Sequence, residues 1–353
     1  MTSKALLVVA LAATLAACDR VQTFVIERAA SRALGKNHEE LLQDGSLHVV
    51  LCGTGSPVAD ADRAGPCTAV LAGGHFFLFD AGPGSSREVG LLRLPRAELD
   101  GLILTHFHSD HIGEVGEVTV QSWIAGRKEA LTVYGPPGVD EVVNGFQRAY
   151  SRDTEYRVKH HGEEMMPGAI AVAQARVINL PGPDVTATVF DEDGLRITAF
   201  AVDHQPVEPA YGYRVDYRGR SAVISGDTKK SANLIRHSKG VDLLVHEALG
   251  DKIIRPVSEY ARSQGMSRWA KLTADILDYH VTPAQAAEIA REAQVNTLVL
   301  THIVPPLPNF VARRLFLSGV SDAWDGEVIV GEDGMHFRLP PDSKEVIAGE
   351  IDG

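Results

Sequence analysis

The chain has 353 residues, of which 44% are hydrophobic and 6% aromatic, enough for one large folded core. It carries 46 acidic and 34 basic residues, for a net charge of -12. The sequence has no basic cluster that would neutralise phosphates. Composition therefore argues against a nucleic-acid-binding protein, and nucleic acid is not an expected partner.

The first eighteen residues have the pattern of an export signal. One positive charge at Lys4 precedes an apolar run, Ala5 to Ala17, that is too short to span a bilayer as a mature helix. Leu15-Ala16-Ala17-Cys18 resembles the bacterial lipobox, which implies that Cys18 is the lipidated first residue of the mature chain. A plain secretory signal cleaved nearby is the alternative. We therefore expect an exported protein, held at the periplasmic face of a bacterial membrane by its lipid anchor alone or soluble in the periplasm.

After residues 1–18, the chain is expected to contain a helical stalk or linker (19–45), one catalytic domain (46–340) and a C-terminal tail (341–353). From Leu47 onward, short β-rich runs alternate with helical patterns, which predicts an α/β fold with helices on both sides of two packed sheets. Thr282 is the expected N-cap of one helix, with Pro283 in its first turn. The predicted helices are Val115–Ile124, Val139–Tyr150, Lys230–His237, Pro283–Ala293 and Asn309–Leu317.

Besides Cys18, the sequence contains two cysteines. These are Cys52 and Cys67, which bracket the loop 53–66. In an oxidising compartment such a pair can form a disulfide. Closing a loop of about fifteen residues would stabilise the fold by roughly 3 kcal/mol. Two buried free thiols are the alternative, and neither cysteine is expected to take part in catalysis.

The segment Thr105–His111 packs three histidines and one aspartate behind the apolar run Leu102-Ile103-Leu104. Imidazole nitrogens and carboxylate oxygens suit zinc, manganese or iron. His106 and His108 can grip one ion, whereas Asp110 and His111 cannot easily reach the same ion. The motif therefore predicts a second metal beside the first. A polar surface loop with incidental histidines is the alternative.

Three further residues of ligand type, His204, Asp227 and His302, each follow or end an apolar segment. Ends of strands converge on one rim of a sheet sandwich, so ligands that are distant in sequence can meet there. For each histidine considered alone, the alternative is an ordinary surface or core residue whose hydrogen bonds are satisfied by its neighbours. Three such ends with suitable ligand types favour a shared site.

The run His106-Phe107-His108-Ser109-Asp110-His111 resembles the H-x-H-x-D-H signature of the metallo-β-lactamase superfamily. Other segments agree in order: Leu51 to Ser56, Phe79 to Gly82, His204, Ser225 to Thr228, Val245 to Ala248, His280 to Thr282 and Thr301 to Ile303. From about Leu47 to Leu339 the series is most similar to the ribonuclease Z branch and its phosphodiesterase and arylsulfatase relatives. The resemblance implies an αββα four-layer sandwich.

The same resemblance implies two divalent metal ions, with zinc the first choice and manganese or iron possible. Each ion would take three ligands, and one carboxylate would bridge the two ions. The ligands would be His106, His108 and His204 for one ion, Asp110, His111 and His302 for the other, and Asp227 for the bridge.

Three residues are candidates for catalysis. Asp110 could orient the attacking water or accept its proton. His280 matches the histidine of the H-x-T motif thought to protonate the leaving group in ribonuclease Z relatives, and Glu247 could hold its imidazole in the needed tautomer. The alternatives are a histidine beside the helix cap at Thr282 and an ordinary buried strand-end carboxylate.

We therefore expect a dinuclear-metal hydrolase of phosphate or sulfate esters, acting on a compact small-molecule substrate. Ribonuclease Z grips tRNA with a long arm, and here the corresponding place, Val215 to Ser225, holds a tight hairpin. The alternatives are a tRNA 3′-processing endoribonuclease and a non-catalytic exported binding lipoprotein that kept the fold. A homodimer is possible.

Overall fold

The computed structural model describes residues 21–28, 30 and 37–351. The predicted signal and lipidation residue Cys18 lie outside them. The chain divides into two units, Met1–His38 and Glu39–Gly353. In the first unit, residues 21–28 are helical, as predicted for the segment before the domain. Within the described ranges, no helix is both long and apolar enough to cross a membrane.

Two β-sheets form the centre of the second unit. The first sheet contains β1 (Leu47–Gly53), β2 (Cys67–Ala72), β3 (His75–Phe79), β4 (Leu99–Ile103), β5 (Leu131–Gly135), β6 (Ala173–Val177), β14 (Met335–Leu339) and β15 (Ile347–Glu350). The second contains β7 (Thr186–Glu192), β8 (Leu195–Ala201), β9 (Tyr211–Tyr217), β10 (Arg220–Ile224), β11 (Leu243–Leu249), β12 (Thr297–Val304) and β13 (Glu327–Val330). The strand orders are β15-β14-β1-β2-β3-β4-β5-β6 and β13-β12-β11-β10-β9-β8-β7.

Each sheet joins an antiparallel part to a parallel part. Strands β3 to β6 pair in parallel in the first sheet, and β10 to β13 do so in the second. Strands such as β2 and β11 are buried along their whole length, as expected when both faces of a sheet are covered. Because strands that run in parallel end at the same edge, loops distant in sequence come together there.

Helices cover the outer face of each sheet. Numbered within the second unit, they are α1 (Ser85–Leu91), α2 (Ser109–Ile112), α3 (Val115–Ile124), α4 (Val139–His161), α5 (Ala232–His237), α6 (Asp251–Ser263), α7 (Ser267–Asp275), α8 (Pro283–Ala293), α9 (Phe310–Phe316) and α10 (Val320–Ala323). Helix α8 has the predicted N-cap at Thr282, where a capping box with Gln285 satisfies the first backbone N–H groups.

The core has three layers of packing. One cluster lies between the sheets, where Leu47 and Val49 of β1 share the interior with Tyr213 and Val215 of β9. A second cluster joins the other face of the first sheet to α3 and α4. A third joins the second sheet to α8. The layers are therefore helix, sheet, sheet and helix, and the predicted four-layer sandwich is confirmed.

Some predicted boundaries are wrong. Helix α4 continues past Tyr150 to His161, and ion pairs from Arg157 to Asp153 and from Lys159 to Glu155, each one turn apart, support this extension. Helices α5 and α9 begin later than predicted, at Ala232 and Phe310, since Ser231 and Asn309 serve as their N-caps.

The predicted division at residue 340 is also wrong. Residues Ile347–Glu350 form β15, which pairs antiparallel with β14 at the edge of the first sheet. The domain also begins before residue 46, since Leu42 of the short 3-10 helix Glu39–Leu42 is buried in the core. The folded unit thus includes most of what the sequence analysis assigned to a tail.

The structure forms the predicted disulfide between Cys52 and Cys67. The two residues lie on the neighbouring antiparallel strands β1 and β2, with their Cα atoms 4.9 Å apart. Both side chains are buried. The bridge closes a loop at the start of the domain and takes no part in the groups of metal-ligand type.

Candidate metal centre

The ends of β4, β8, β10 and β12 bring the seven predicted ligands together. The H-x-H-x-D-H motif follows β4 and runs into α2, so its histidines and aspartate leave the sheet at the rim. His204 and Asp227 lie just beyond the ends of β8 and β10, and His302 lies within β12, close to its end. These positions are the ones expected from the sequence.

One group of possible ligands contains His106, His108, His204 and Asp227. Their ligand atoms all lie within 4.8 Å of one another. His106 Nε2 is 2.9 Å from His108 Nδ1, and Asp227 Oδ2 is 3.8 Å from Nε2 of both His106 and His204. Imidazoles at these separations can share one cation.

A second group contains Asp110, His111 and His302, again with ligand atoms within 4.8 Å of one another. Asp110 Oδ2 is 3.2 Å from His302 Nε2 and 3.5 Å from His111 Nε2. Asp227 Oδ2 lies 3.4 Å from His111 Nε2 and 3.3 Å from His302 Nε2. A single oxygen of Asp227 therefore faces both groups, which is the position that a bridging ligand requires.

Several ligand atoms are buried without a hydrogen-bond partner among the described residues. They include His111 Nε2, His204 Nε2 and Asp227 Oδ1. A buried polar atom that lacks a partner is costly, and a cation removes that cost by accepting the lone pairs. The nitrogen and carboxylate oxygen set is also one that divalent transition metals prefer. The residues fit a divalent metal site.

The charge states of Asp227 and His106 suit metal binding. Burial raises the pKa of Asp227, but the surrounding histidines outweigh it and hold that pKa well below its usual value. Burial and neighbouring histidines hold the pKa of His106 well below its usual value. Asp227 is therefore an anion and His106 a neutral donor at neutral pH, as metal ligands must be.

Two contacts beyond the ligands were not predicted from the sequence. Asp80 Oδ2 accepts a hydrogen bond from His111 Nδ1 at 2.8 Å, and Asp80 is itself held by the N–H and hydroxyl of Thr105. His204 Nδ1 donates to the backbone oxygen of Tyr279 at 3.0 Å. Such contacts fix which ring nitrogen faces the metal. The sequence signal that could have indicated Asp80 is its position directly after β3, at the end of a strand.

His302 has an unusual backbone conformation, with φ at 46°. A left-handed conformation at a residue other than glycine is unfavourable and persists where the surroundings impose it. Here the next residue, Ile303, donates its N–H to the backbone oxygen of Thr54 at 2.9 Å. The distortion coincides with a register shift between β11 and β12 and turns the imidazole to the ligand group.

His280 and Glu247 form a pair beside the ligands. Glu247 Oε1 lies 3.1 Å from His280 Nδ1 and also accepts the backbone N–H groups of Val281 and Thr228 at 3.2 Å. Burial lowers the pKa of His280, but the Glu247 carboxylate outweighs it and raises that pKa to about 9. A ring nitrogen of His280 lies within 4.8 Å of ligand atoms of Asp227 and His302. The geometry suits a proton donor.

Comparison with known proteins agrees with this fold. Residues 75–303 match the family described as Beta-lactamase superfamily domain. The human tRNase Z, short form, has a TM-score of 0.59 at 21% identity, with 83% of this chain and 99% of that chain covered. The metallo-beta-lactamase fold protein YhfI from Bacillus subtilis has a TM-score of 0.58 at 20% identity, covering 84% and 100%. These two structures share the fold.

The chain therefore belongs to the beta-lactamase superfamily, and its predicted membership is confirmed. Within that superfamily it is 37% identical over 281 residues to a Ribonuclease Z of Mycobacterium marinum, covering 79% of this chain and 90% of the relative. A Ribonuclease Z of Mycobacterium bovis (strain BCG / Pasteur 1173P2) is 37% identical over 299 residues, covering 84% and 99%. The chain is an enzyme, a metallo-hydrolase of ester bonds.

Proposed function

We propose that this chain is a ribonuclease Z-type phosphodiesterase with two divalent ions, and that its substrate is RNA with a 3′ extension, such as precursor tRNA. The observation that carries the proposal is the position of Asp227, whose Oδ2 faces both groups of ligand atoms at 3.3–3.8 Å. Extensive identity to proteins named Ribonuclease Z supports RNA as the substrate class.

His106, His108 and His204 would hold one ion, Asp110, His111 and His302 the other, and Asp227 would bridge them. Divalent ions in such a site supply a nucleophilic water near neutral pH and neutralise charge on phosphoryl oxygens. The protein contributes the orientation of these ligands through contacts such as that between Asp80 and His111.

The proton for the leaving oxygen would come from His280. Because its Nδ1 faces Glu247, its Nε2 is the nitrogen left for the substrate. Glu247 is held rigidly, since one of its oxygens accepts two backbone N–H groups as well as the imidazole. Asp110, next to His111 and His302, would orient the attacking water.

Nucleic acid was not an expected partner from the sequence, and the relatives named Ribonuclease Z count against that expectation. A net charge of -12 does not by itself exclude binding of nucleic acid. Net charge is a sum over the whole surface, whereas binding depends on the local field around the site.

Compact phosphodiesters or sulfate esters are a second candidate class. The observation that favours them is the hairpin of β9 and β10, which turns through Arg218 and Gly219 alone, where ribonuclease Z is expected to have its arm. The predicted export signal would also separate the enzyme from cytoplasmic tRNA. Zinc as the metal, periplasmic location and a homodimer stay predictions.

One panel of substrates separates the two classes. The metal-loaded full chain is offered precursor tRNA with a 3′ trailer, bis(p-nitrophenyl) phosphate and p-nitrophenyl sulfate at physiological salt, with Asp227→Ala as the inactive control. Endonucleolytic removal of the trailer that is lost in the control supports the proposal. Turnover of the small esters with no cleavage of precursor tRNA contradicts it and favours the second class.

A further inference from the structure

Helices α6, α7 and α9 carry an unusual number of large apolar side chains on their solvent side. Helix α7 packs against α6, where Ser258 Oγ donates to the backbone oxygen of Ala270 at 3.0 Å, and α9 also packs against α6. The exposed fraction is 76% for Phe310, 65% for Tyr260 and 59% for Trp269. Val257, Leu272, Val311 and Leu315 are exposed on the same helices, and Met266 is exposed just before α7. A concentration of this kind marks an interaction surface.

The apolar residues are spaced to form stripes. On α9, Phe310, Val311 and Leu315 are exposed while Phe316 is buried beside Gly250. On α7, Trp269 and Leu272 are exposed while Ala270 is buried. The inner side of each helix is therefore buried against the domain, whereas the outer apolar side is exposed. We call this outer side, with its arginines, the α6–α7–α9 face.

The same helices are basic in a chain that is acidic overall. Their basic residues are Lys252, Arg255, Arg262, Arg268, Lys271, Arg313 and Arg314, against the acidic residues Asp251, Glu259 and Asp275. Among the described residues, Arg262, Arg268 and Arg314 form no ion pair, and all three are exposed. Positive charge at this surface is thus available to a partner.

We propose that the α6–α7–α9 face docks on a membrane surface that contains anionic phospholipid. Trp and Tyr favour the level of the lipid head groups, and Phe, Leu and Val gain by entering the acyl boundary. Arginines at the same surface attract anionic head groups. A lipid surface of this kind would contact both the apolar side chains and the arginines of the face. The inference does not depend on which ester the enzyme cleaves.

Two other partners, RNA and a second copy of this chain, would match this combination of apolar and basic side chains less well. RNA would pair with the arginines and stack on Trp269 or Tyr260, but Val311 and Leu315 have no π-face and gain little from bases. In a symmetric dimer through this face, two surfaces with the same excess of positive charge would meet, and like charges would repel. The combination of aliphatic and basic side chains therefore favours a lipid surface.

Fluorescence of Trp269 reports on this face alone. The chain has three tryptophans, and Trp123 is buried while Trp324 packs against the core. We expect vesicles of phosphatidylcholine mixed with phosphatidylglycerol to shift the emission of the full chain to shorter wavelength. Brominated acyl chains should quench it, and Trp269→Phe should abolish both signals. This readout is independent of any binding through the N-terminal segment.

The arginines are tested by vesicle partitioning. Replacing Arg262, Arg268 and Arg314 with Gln should weaken partitioning of the full chain onto the mixed vesicles on the order of a hundredfold, at about fivefold for each charge. The loss should shrink as salt is raised. Turnover of bis(p-nitrophenyl) phosphate, together with the circular dichroism spectrum, reports whether each variant is folded.

The matched control replaces Arg87, Arg152 and Arg196 with Gln, since these exposed arginines lie elsewhere on the domain. It should partition like the wild type. The proposal is overturned if both triple variants partition equally, or if Trp269 emission ignores vesicles. It is equally overturned if the face responds only to RNA, or only to self-association detected by sedimentation.

Discussion

Asp80 offers the sharpest test of how the fold prepares the metal centre. Its Oδ2 accepts hydrogen bonds from His111 Nδ1 at 2.8 Å and from the Thr105 hydroxyl at 2.9 Å, while Oδ1 accepts the Thr105 N–H at 2.8 Å. All three residues are buried. The contact with Asp80 keeps the proton of His111 on Nδ1 and leaves Nε2 free for a metal.

The Asp80→Asn variant keeps the size of the side chain and removes one acceptor. If the amide oxygen keeps the backbone N–H of Thr105, its NH₂ group faces the N–H of His111, so two donors meet. His111 must then move its proton to Nε2 or turn away. Loss of such a partner lowers metal affinity roughly 10–100-fold, which is about 1.4–2.8 kcal/mol.

The assay is competition for zinc between the metal-free chain and a fluorescent chelator. Asp100→Asn is the matched control, because Asp100 also contacts a histidine, His75 at 3.4 Å, and accepts the N–H of Phe76 at 2.8 Å. Asp100 belongs to none of the ligand groups in the described residues. Equal zinc affinity in the Asp80→Asn variant and the wild type would refute the reasoning, as would equal losses in both variants.

Further predictions address the ligands, the acid and the disulfide. Asp227→Ala should lower metal content below two ions per chain and abolish hydrolysis; a variant that keeps two tightly bound ions, by plasma mass spectrometry, excludes the bridge. His280→Ala should lower turnover roughly 10²–10⁴-fold with metal content intact, and less for p-nitrophenolate leaving groups; equal loss for good and poor leaving groups removes His280 from this role. Burial lowers the pKa of His280 and Glu247 raises it, so Glu247→Gln should lower it and move the alkaline limb of the rate-pH profile to lower pH; an unmoved limb contradicts the pairing. Replacing Cys52 and Cys67 with Ala should lower the free energy of unfolding by roughly 3 kcal/mol in urea titrations, and unchanged stability would show that the loop constraint is unimportant.

The metal ligands could be predicted because each one has a local sign in the sequence. His106 to His111 lie in one motif, and His204, Asp227 and His302 each lie near the end of an apolar strand. The rim position of strand ends follows from sheet geometry alone. The role of Asp80 could not be predicted, because it depends on a contact with His111. The two residues are 31 positions apart in the sequence, and the fold brings their side chains to 2.8 Å.

Elements without a periodic pattern could not be predicted. Strand β15 is exposed at all four positions, so no alternation marks it, and its pairing with β14 decides its conformation. Helix α6 was missed for a different reason, since Pro256 lies inside it and a proline usually interrupts a helix.

Hydrolysis followed while metal is restored tests the central claim most directly. The chain is stripped with a chelator, titrated with zinc, and assayed on bis(p-nitrophenyl) phosphate after each addition. The account predicts no turnover without metal and full turnover only when two ions are bound per chain. Turnover in the stripped chain, or saturation at one ion, would contradict the assignment of two groups of ligands bridged by Asp227.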